Sequence, residues 1–349
     1  MALFRIIDGQ ILSDSELRLP ARGKSGPGHR TAVRSPLPGT DTGDEVPFAP
    51  IGIGKPLLVQ IRHIYTGGFP RGGFFGTAGD VAVVSGVKDF DVFAASTRAL
   101  NLVQREVSAR STLEGKAFDD GTMVVSYTPS LLKAEVKVTV EMAVAQFPAE
   151  FVASVTQALG QLQGLPLFLP YRGFLLGAEQ LIGIAGDYAA ALYDGPVFSQ
   201  TEKLTFDLAG AAPAQAGFRL LANQGLEVDG MSFRDGVGLI DRDGTAYRGD
   251  EPYVVLSVDG REMPALASFA ATAASTALLE RFFSTTSATG ASLEALVAGT
   301  RLLSDMKYRE RAEAIARSIA AETNSARKAK LKAEREAVLR NILNEDLRP

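Results

Sequence analysis

The stretch Ala134-Glu-Val-Lys-Val-Thr-Val-Glu-Met-Ala-Val144 decides the fold class. Ala134, Val136, Val138, Val140, Met142 and Val144 alternate with Glu135, Lys137, Thr139, Glu141 and Ala143. Successive side chains of a strand point to opposite faces, so this period of two predicts a sheet with one dry and one wet face. A strand of that kind belongs to an antiparallel sheet covered on one side. Working outward, residues 58–65, 80–87 and 122–127 also read as strands. In the first of these, Leu58, Gln60, Arg62 and Ile64 are expected on one face and Val59, Ile61, His63 and Tyr65 on the other. Loops rather than helices separate these runs, so residues 57–146 are predicted to form an antiparallel β-sandwich.

Before it, residues 1–19 contain a hairpin turned by Asp8-Gly9, a pair that accepts positive φ. Residues 20–56 hold seven prolines and seven glycines. Few large apolar groups accompany them, so the segment reads as an arm or surface loop that cannot make a core of its own. After the sandwich, residues 147–284 read as an α+β domain. Two apolar helices (151–162 and 171–193) lead into short strands at 204–208, 217–222, 237–240 and 253–258, and helix resumes after Met263. Asp-Gly pairs at 194, 229, 235, 243 and 259 punctuate the strands. The tail, 285–349, reads as charged helices. Ser292 is placed as the cap of one. Ala312, Ile315, Ala316 and Ile319 line the next. Asn324 and Ser325 break the chain before a third, lined by Leu331, Val338 and Ile342. The expected fold class is therefore α+β, with an N-terminal sandwich and a C-terminal helical hairpin.

Composition narrows the chemistry. The chain has no cysteine, two histidines (His29 and His63) and no tryptophan. Thiolate nucleophiles, disulfides, iron–sulfur clusters and cysteine zinc sites are thereby excluded. Charged residues are 22% of the chain and the net charge is −4, so the molecule as a whole is no polyanion binder, and nucleic acid is not an expected partner. The start, MALFRIIDGQ, has neither a basic region nor an apolar run of signal-peptide type, and the lack of cysteine makes the reducing bacterial cytoplasm the expected compartment.

Four groups of residues are candidates for function. Gly67-Gly68-Phe69-Pro70-Arg71-Gly72-Gly73-Phe74-Phe75-Gly76 sets three phenylalanines among glycines. Phe69, Arg71, Phe74 and Phe75 then form a contact surface for a partner or membrane, or the rings fold back over the end of the sandwich. Asp89, Asp91, Asp119 and Asp120 are candidate cation ligands if the loops converge, and equally are turn formers on a surface. Arg327, Lys328, Lys330, Lys332 and Arg335 make a basic helix face for nucleic acid or an acidic partner, or a face turned to solvent, the favoured reading. Asp241-Arg242-Asp243-Gly244 begins like a calcium loop, but Pro252 stands where its twelfth-position glutamate belongs, so it reads as a turn. His63, alone on a strand, reads as structural.

Asp89-Phe90-Asp91, the pair Asp119-Asp120 and the nearby aromatic loop resemble a C2-type domain over about residues 57–146. That resemblance implies an eight-stranded sandwich whose loops at one end bind Ca²⁺ and phospholipid headgroups. No catalytic residue and no cofactor is expected. The favoured expectation is a non-enzymatic scaffold acting on other protein chains, copies of itself included, as an accessory in a prokaryotic multi-gene system such as defence. The alternative is a C2-like module that docks on a phospholipid surface.

Overall fold

A computed structural model describes residues 2–7, 9–13, 32–34, 45–70, 78–88, 97–113, 123–145, 197–207, 213–267 and 290–349. The expected helices at 151–162, 171–193 and beyond residue 267, and most of the 20–56 arm, lie outside these.

The architecture is α+β, with two sandwiched sheets and a C-terminal helix pair. The hairpin is present: β1 (Ala2–Ile7) pairs with β2 (Gln10–Ser13), from Phe4 opposite Ser13 to Ile7 opposite Gln10. Gly9 turns it at φ 77°. In the arm, β3 (Ala32–Arg34) and β4 (Glu45–Pro47) form a two-stranded ribbon. The end of the arm is built into the body. Phe48 meets Phe218 edge-on with ring centroids 5.0 Å apart, and the Ala49 amide donates to the Asp259 carboxylate at 2.8 Å.

Further along the chain come β5 (Leu57–Tyr65), β6 (Ala78–Lys88), β7 (Thr97–Ser108), β8 (Thr112–Leu113), β9 (Val124–Thr128) and β10 (Glu135–Ala145). Then follow β11 (Phe198–Thr205), β12 (Gly217–Ala222), β13 (Ser232–Arg234), β14 (Gly238–Ile240) and β15 (Tyr253–Asp259). One sheet runs β14-β13-β2-β1-β12-β15-β5-β8, with β9 also on β5; it is curled but open. The other runs β11-β10-β6-β7. All the pairings among the described strands are antiparallel, and β5 lies beside β15 as β10 lies beside β11. Both sheets therefore draw strands from before and after residue 147.

The deciding stretch behaves as its pattern requires. Val136, Val138, Val140 and Met142 are fully buried between the sheets, facing Val59, Ile61, Val254 and Leu256. On the wet face Glu135 bonds Lys203 of β11 at 2.7 Å, and Thr139 meets Thr201 across the strands at 2.9 Å. Each aliphatic side chain buried this way contributes about 1.5–3 kcal/mol.

The face assignment in β5 needs a correction. Val255 pairs with His63 but Leu256 pairs with Ile61, so Arg62 is an extra residue in a β-bulge. The bulge shifts the alternation by one. Ile64 joins Val59 and Ile61 in the main core, whereas Tyr65 faces a second core on the outer side of the large sheet with Ile6, Phe218, Phe233 and Tyr253. The tail also differs from expectation. Ser292 lies inside a single continuous helix, α1 (Gly290–Ala321), and a second helix, α2 (Ser325–Leu339), follows. The break falls where expected. The Asn324 carboxamide accepts from the Ala326 and Arg327 amides at 3.0 Å each, the geometry of an N-cap.

Candidate functional site

The Gly/Phe loop leaves the sandwich at the end of β5, and its base is tightly fixed. Thr66 is fully buried; its amide donates to the Ser111 carbonyl at 3.0 Å, and its hydroxyl accepts from the Ser111 amide at 3.0 Å. Gly67 sits at φ 59°, and a Cβ there would run into the Asp250 carbonyl, so only glycine fits. The Gly68 amide donates to that carbonyl at 2.8 Å and the Arg110 amide to the Gly67 carbonyl at 2.6 Å. An Arg110–Asp250 ion pair of 2.6 Å closes the outside. Pro70, joined to Phe69 by a cis peptide bond, is buried against Gly79. Three loops are thus locked together where residues 66–70, 110–111 and 248–250 meet. Phe69 is half-buried on this base. Arg71, Phe74 and Phe75 lie outside the described residues, as do Asp89, Asp91, Asp119 and Asp120.

Beneath the base is an aromatic stack. Tyr65 packs on Tyr253 at 5.2 Å and His63 on Tyr253 at 5.4 Å, nearly parallel in both cases. The Tyr65 hydroxyl donates to the Gly249 carbonyl at 2.9 Å, and the Tyr253 hydroxyl accepts from the Leu239 amide at 3.0 Å. Burial pushes the Tyr65 phenol up to about 12 and raises that of Tyr253 as well. Both phenols are therefore neutral hydrogen-bonding groups at physiological pH.

His63 is a core residue, in agreement with the sequence. It is 4% exposed, and burial lowers its pKa to about 4 despite the opposing pull of the Asp235 carboxylate. Its Nε2 makes no hydrogen bond among the described residues. Gly238, at φ 102°, closes over that nitrogen so tightly that a Cβ would lie 2.5 Å from it. No space remains there for a substrate. The Asp241 turn is likewise structural: its carboxylate accepts from the Asp243 and Thr245 amides at 2.9 and 2.8 Å, and Gly244 takes φ 80°. Among the described residues no three His, Asp or Glu side chains come together as metal ligands.

The tail offers a different kind of surface. Arg327, Lys330 and Lys332 are exposed on α2 and Lys328 is half-exposed, whereas Arg335 turns to the chain end and donates to the Pro349 carbonyl at 2.9 Å. On α1, Leu302, Leu303 and Met306 are 47%, 56% and 50% exposed and lie on one side of the helix, while Asp305 between them is buried. The apolar positions read from the sequence begin at Ala312 and overlook this trio; the signal was the spacing of one and four residues that helical neighbours share.

No helix among the described residues is long and apolar enough to cross a membrane. No family model, curated protein or solved structure matches this chain.

Proposed function

We propose that this chain is a non-enzymatic interaction protein, acting through contacts with other protein chains, copies of itself included, as an accessory in a prokaryotic multi-gene system. The observation that carries this reading is the trio Leu302, Leu303 and Met306, half-exposed on a helix that buries Ala312 and Ile315 against α2. Burying the remaining apolar surface of three such side chains against a partner contributes several kcal/mol gross, at about 25 cal/mol per Å², from which the entropic cost of association is subtracted. The enclosed state of His63 agrees with it, since the histidine is a packing element and not a reactive group.

Changing Leu302, Leu303 and Met306 together to Ser tests the reading. Sedimentation velocity of the parent chain is expected to show concentration-dependent association, and the triple variant is expected to remain monomeric with its helix content intact. A parent chain that is strictly monomeric, and whose pull-downs equal those of the variant, overturns the proposal.

A second reading rests on the pinned base at Gly67–Pro70. A rigid platform carrying Phe69 suits a loop that inserts Phe74, Phe75 and Arg71 into a phospholipid surface, as the C2-type resemblance implies. Flotation with anionic vesicles, with and without Ca²⁺, is then expected to carry the chain upward, and Ser at Phe69, Phe74 and Phe75 to abolish flotation. Flotation unaffected by those changes removes this reading.

A further inference from the structure

The helix pair forms a unit of its own. Ala312, Ile315 and Val338 are buried between α1 and α2, with Tyr308, Ile319, Leu331 and Leu339 around them. The Asp305 carboxylate, 1% exposed, accepts from the Leu343 and Asn344 amides at 3.0 Å each and so ties the chain end to the middle of α1. The Arg348 guanidinium donates twice to the Ile342 carbonyl, at 3.0 and 2.9 Å. Cap, core and terminal tie all lie within residues 290–349.

Its attachment to the sandwich is of another character. Two loops receive it, residues 52–55 and 128–132. They are joined to each other by the Gly54 amide donating to the Leu131 carbonyl at 2.7 Å and the Leu131 amide to the Lys55 carbonyl at 2.8 Å. Into this receiver goes one buried carboxamide. Asn341, 6% exposed, accepts from the Ser130 amide and the Thr128 hydroxyl at 3.2 Å each, and donates to the Ser130 carbonyl at 2.8 Å. Arg340 adds a bond to the Gly54 carbonyl at 3.4 Å, and Ala337 lies against Gly54, whose φ of 78° brings the backbone close. Among the described residues, Leu132 of the body packs against the helices' own apolar cluster. Among the described residues neither helix makes a broad contact with a strand.

We infer that the C-terminal helix pair is a releasable clasp on the sandwich, with Asn341 as the group that holds it closed. The physical reason lies in the kind of bonds involved. Undocking exchanges amide hydrogen bonds for equivalent bonds to water, and each such bond is worth only about 0.5–1.5 kcal/mol net. Separating α1 from α2, or one sheet from the other, would instead expose continuous apolar surface. Small, polar interfaces between units of one chain permit relative motion for this reason. Release would leave both units folded and would uncover the 52–55 and 128–132 loops. This inference is independent of what the exposed trio on α1 binds.

Because the chain has no cysteine, two can be introduced for spin labels, at Lys203 on the wet face of β11 and Lys332 on α2. In the full chain, pulsed dipolar spectroscopy is expected to give one dominant distance, plus a second, broad population that grows several-fold in Asn341→Ala. Hydrogen exchange is expected to quicken at Ser130 and around residues 52–55 while the amides of β5, β10 and α1 keep their protection. Thr128→Val, which removes one bond from the body side, is expected to shift the populations the same way by a smaller factor. A single narrow distance unchanged in Asn341→Ala overturns the inference. So does a variant in which sandwich and helices lose protection together, because the pair is then an inseparable part of one folding unit.

Discussion

Glu202→Ala is expected to destabilise the sandwich by about 3–5 kcal/mol, measured as a shift in the urea midpoint at unchanged slope. Glu202 lies on β11 in one sheet, and Arg219 lies on β12 in the other. Their Oε1 and Nε are 3.4 Å apart, with side chains 12% and 4% exposed. The guanidinium also donates to the Phe218 carbonyl at 2.9 Å and to the Gln215 carbonyl. Removing the carboxylate takes this counter-charge away from a guanidinium held in the interior. Charge burial is costly when the partner is removed, far more than when both partners are replaced. The double variant Glu202→Leu with Arg219→Met is therefore expected to recover most of the loss. A single variant costing less than about 1 kcal/mol would mean that water reaches the pair and that the two sheets are not sealed at this edge.

The same ion pair explains why part of the fold was hard to read from the sequence. β10 announces itself because its inward positions are all apolar. Its neighbour β11 points Phe198, Gln200, Glu202 and Leu204 inward, and Gln200 bonds Asn223 at 3.0 Å across the same seam. Two polar residues on the dry face erase the period-two signal, so sequence reading begins this strand only at Leu204. β7 is hidden for a different reason. Its pairing with β6 slips between Gly79 and Val81 and again between Val83 and Val84, and Glu106 takes φ 53° there. The Asp80 carboxylate accepts the Glu106 amide at 3.0 Å and holds this irregularity in place. Strict alternation cannot survive such insertions. By contrast β12, an unbroken run at Gly217–Ala222, is legible to the residue.

The candidate surfaces were legible to differing degrees. Glycines around Phe69 signal a special backbone, and Gly67 does occupy a position where no side chain fits. That Asp250, 183 residues later in the chain, supplies the locking carbonyl is tertiary information that no local pattern carries. Asn341 is the extreme case. In the sequence it is one polar residue among many near a charged helix end. Its role arises because β9 ends at Thr128 and the following turn offers a hydroxyl, an amide and a carbonyl at one point.

Stability is expected to fall by up to about 3 kcal/mol between pH 6.5 and pH 4 through His63 alone. In the unfolded chain this imidazole takes up a proton near its ordinary value of 6.5. In the folded protein burial among Tyr253, Phe233 and the Gly238 backbone holds the pKa down to about 4. Over that window the unfolded state binds more protons than the folded state, so the protein is fully stabilised above pH 6.5 and loses the contribution as the pH drops. The loss is complete near pH 4, at about 1.4 kcal/mol per unit of difference. Asp235 limits the effect, because its carboxylate favours the imidazolium while it is itself bound to Arg62 at 2.7 Å. Asp259 runs in the opposite sense: burial raises its pKa, so its contribution grows as the pH falls toward its ordinary range. Subtracting the urea stability of His63→Asn from that of the parent chain, pH by pH, isolates the histidine. The difference is expected to slope across pH 6.5–4 and to be flat above it. A flat difference throughout would mean that the imidazole takes up its proton as readily in the folded protein as in the unfolded chain, and that the Gly238 closure does not keep water from Nε2.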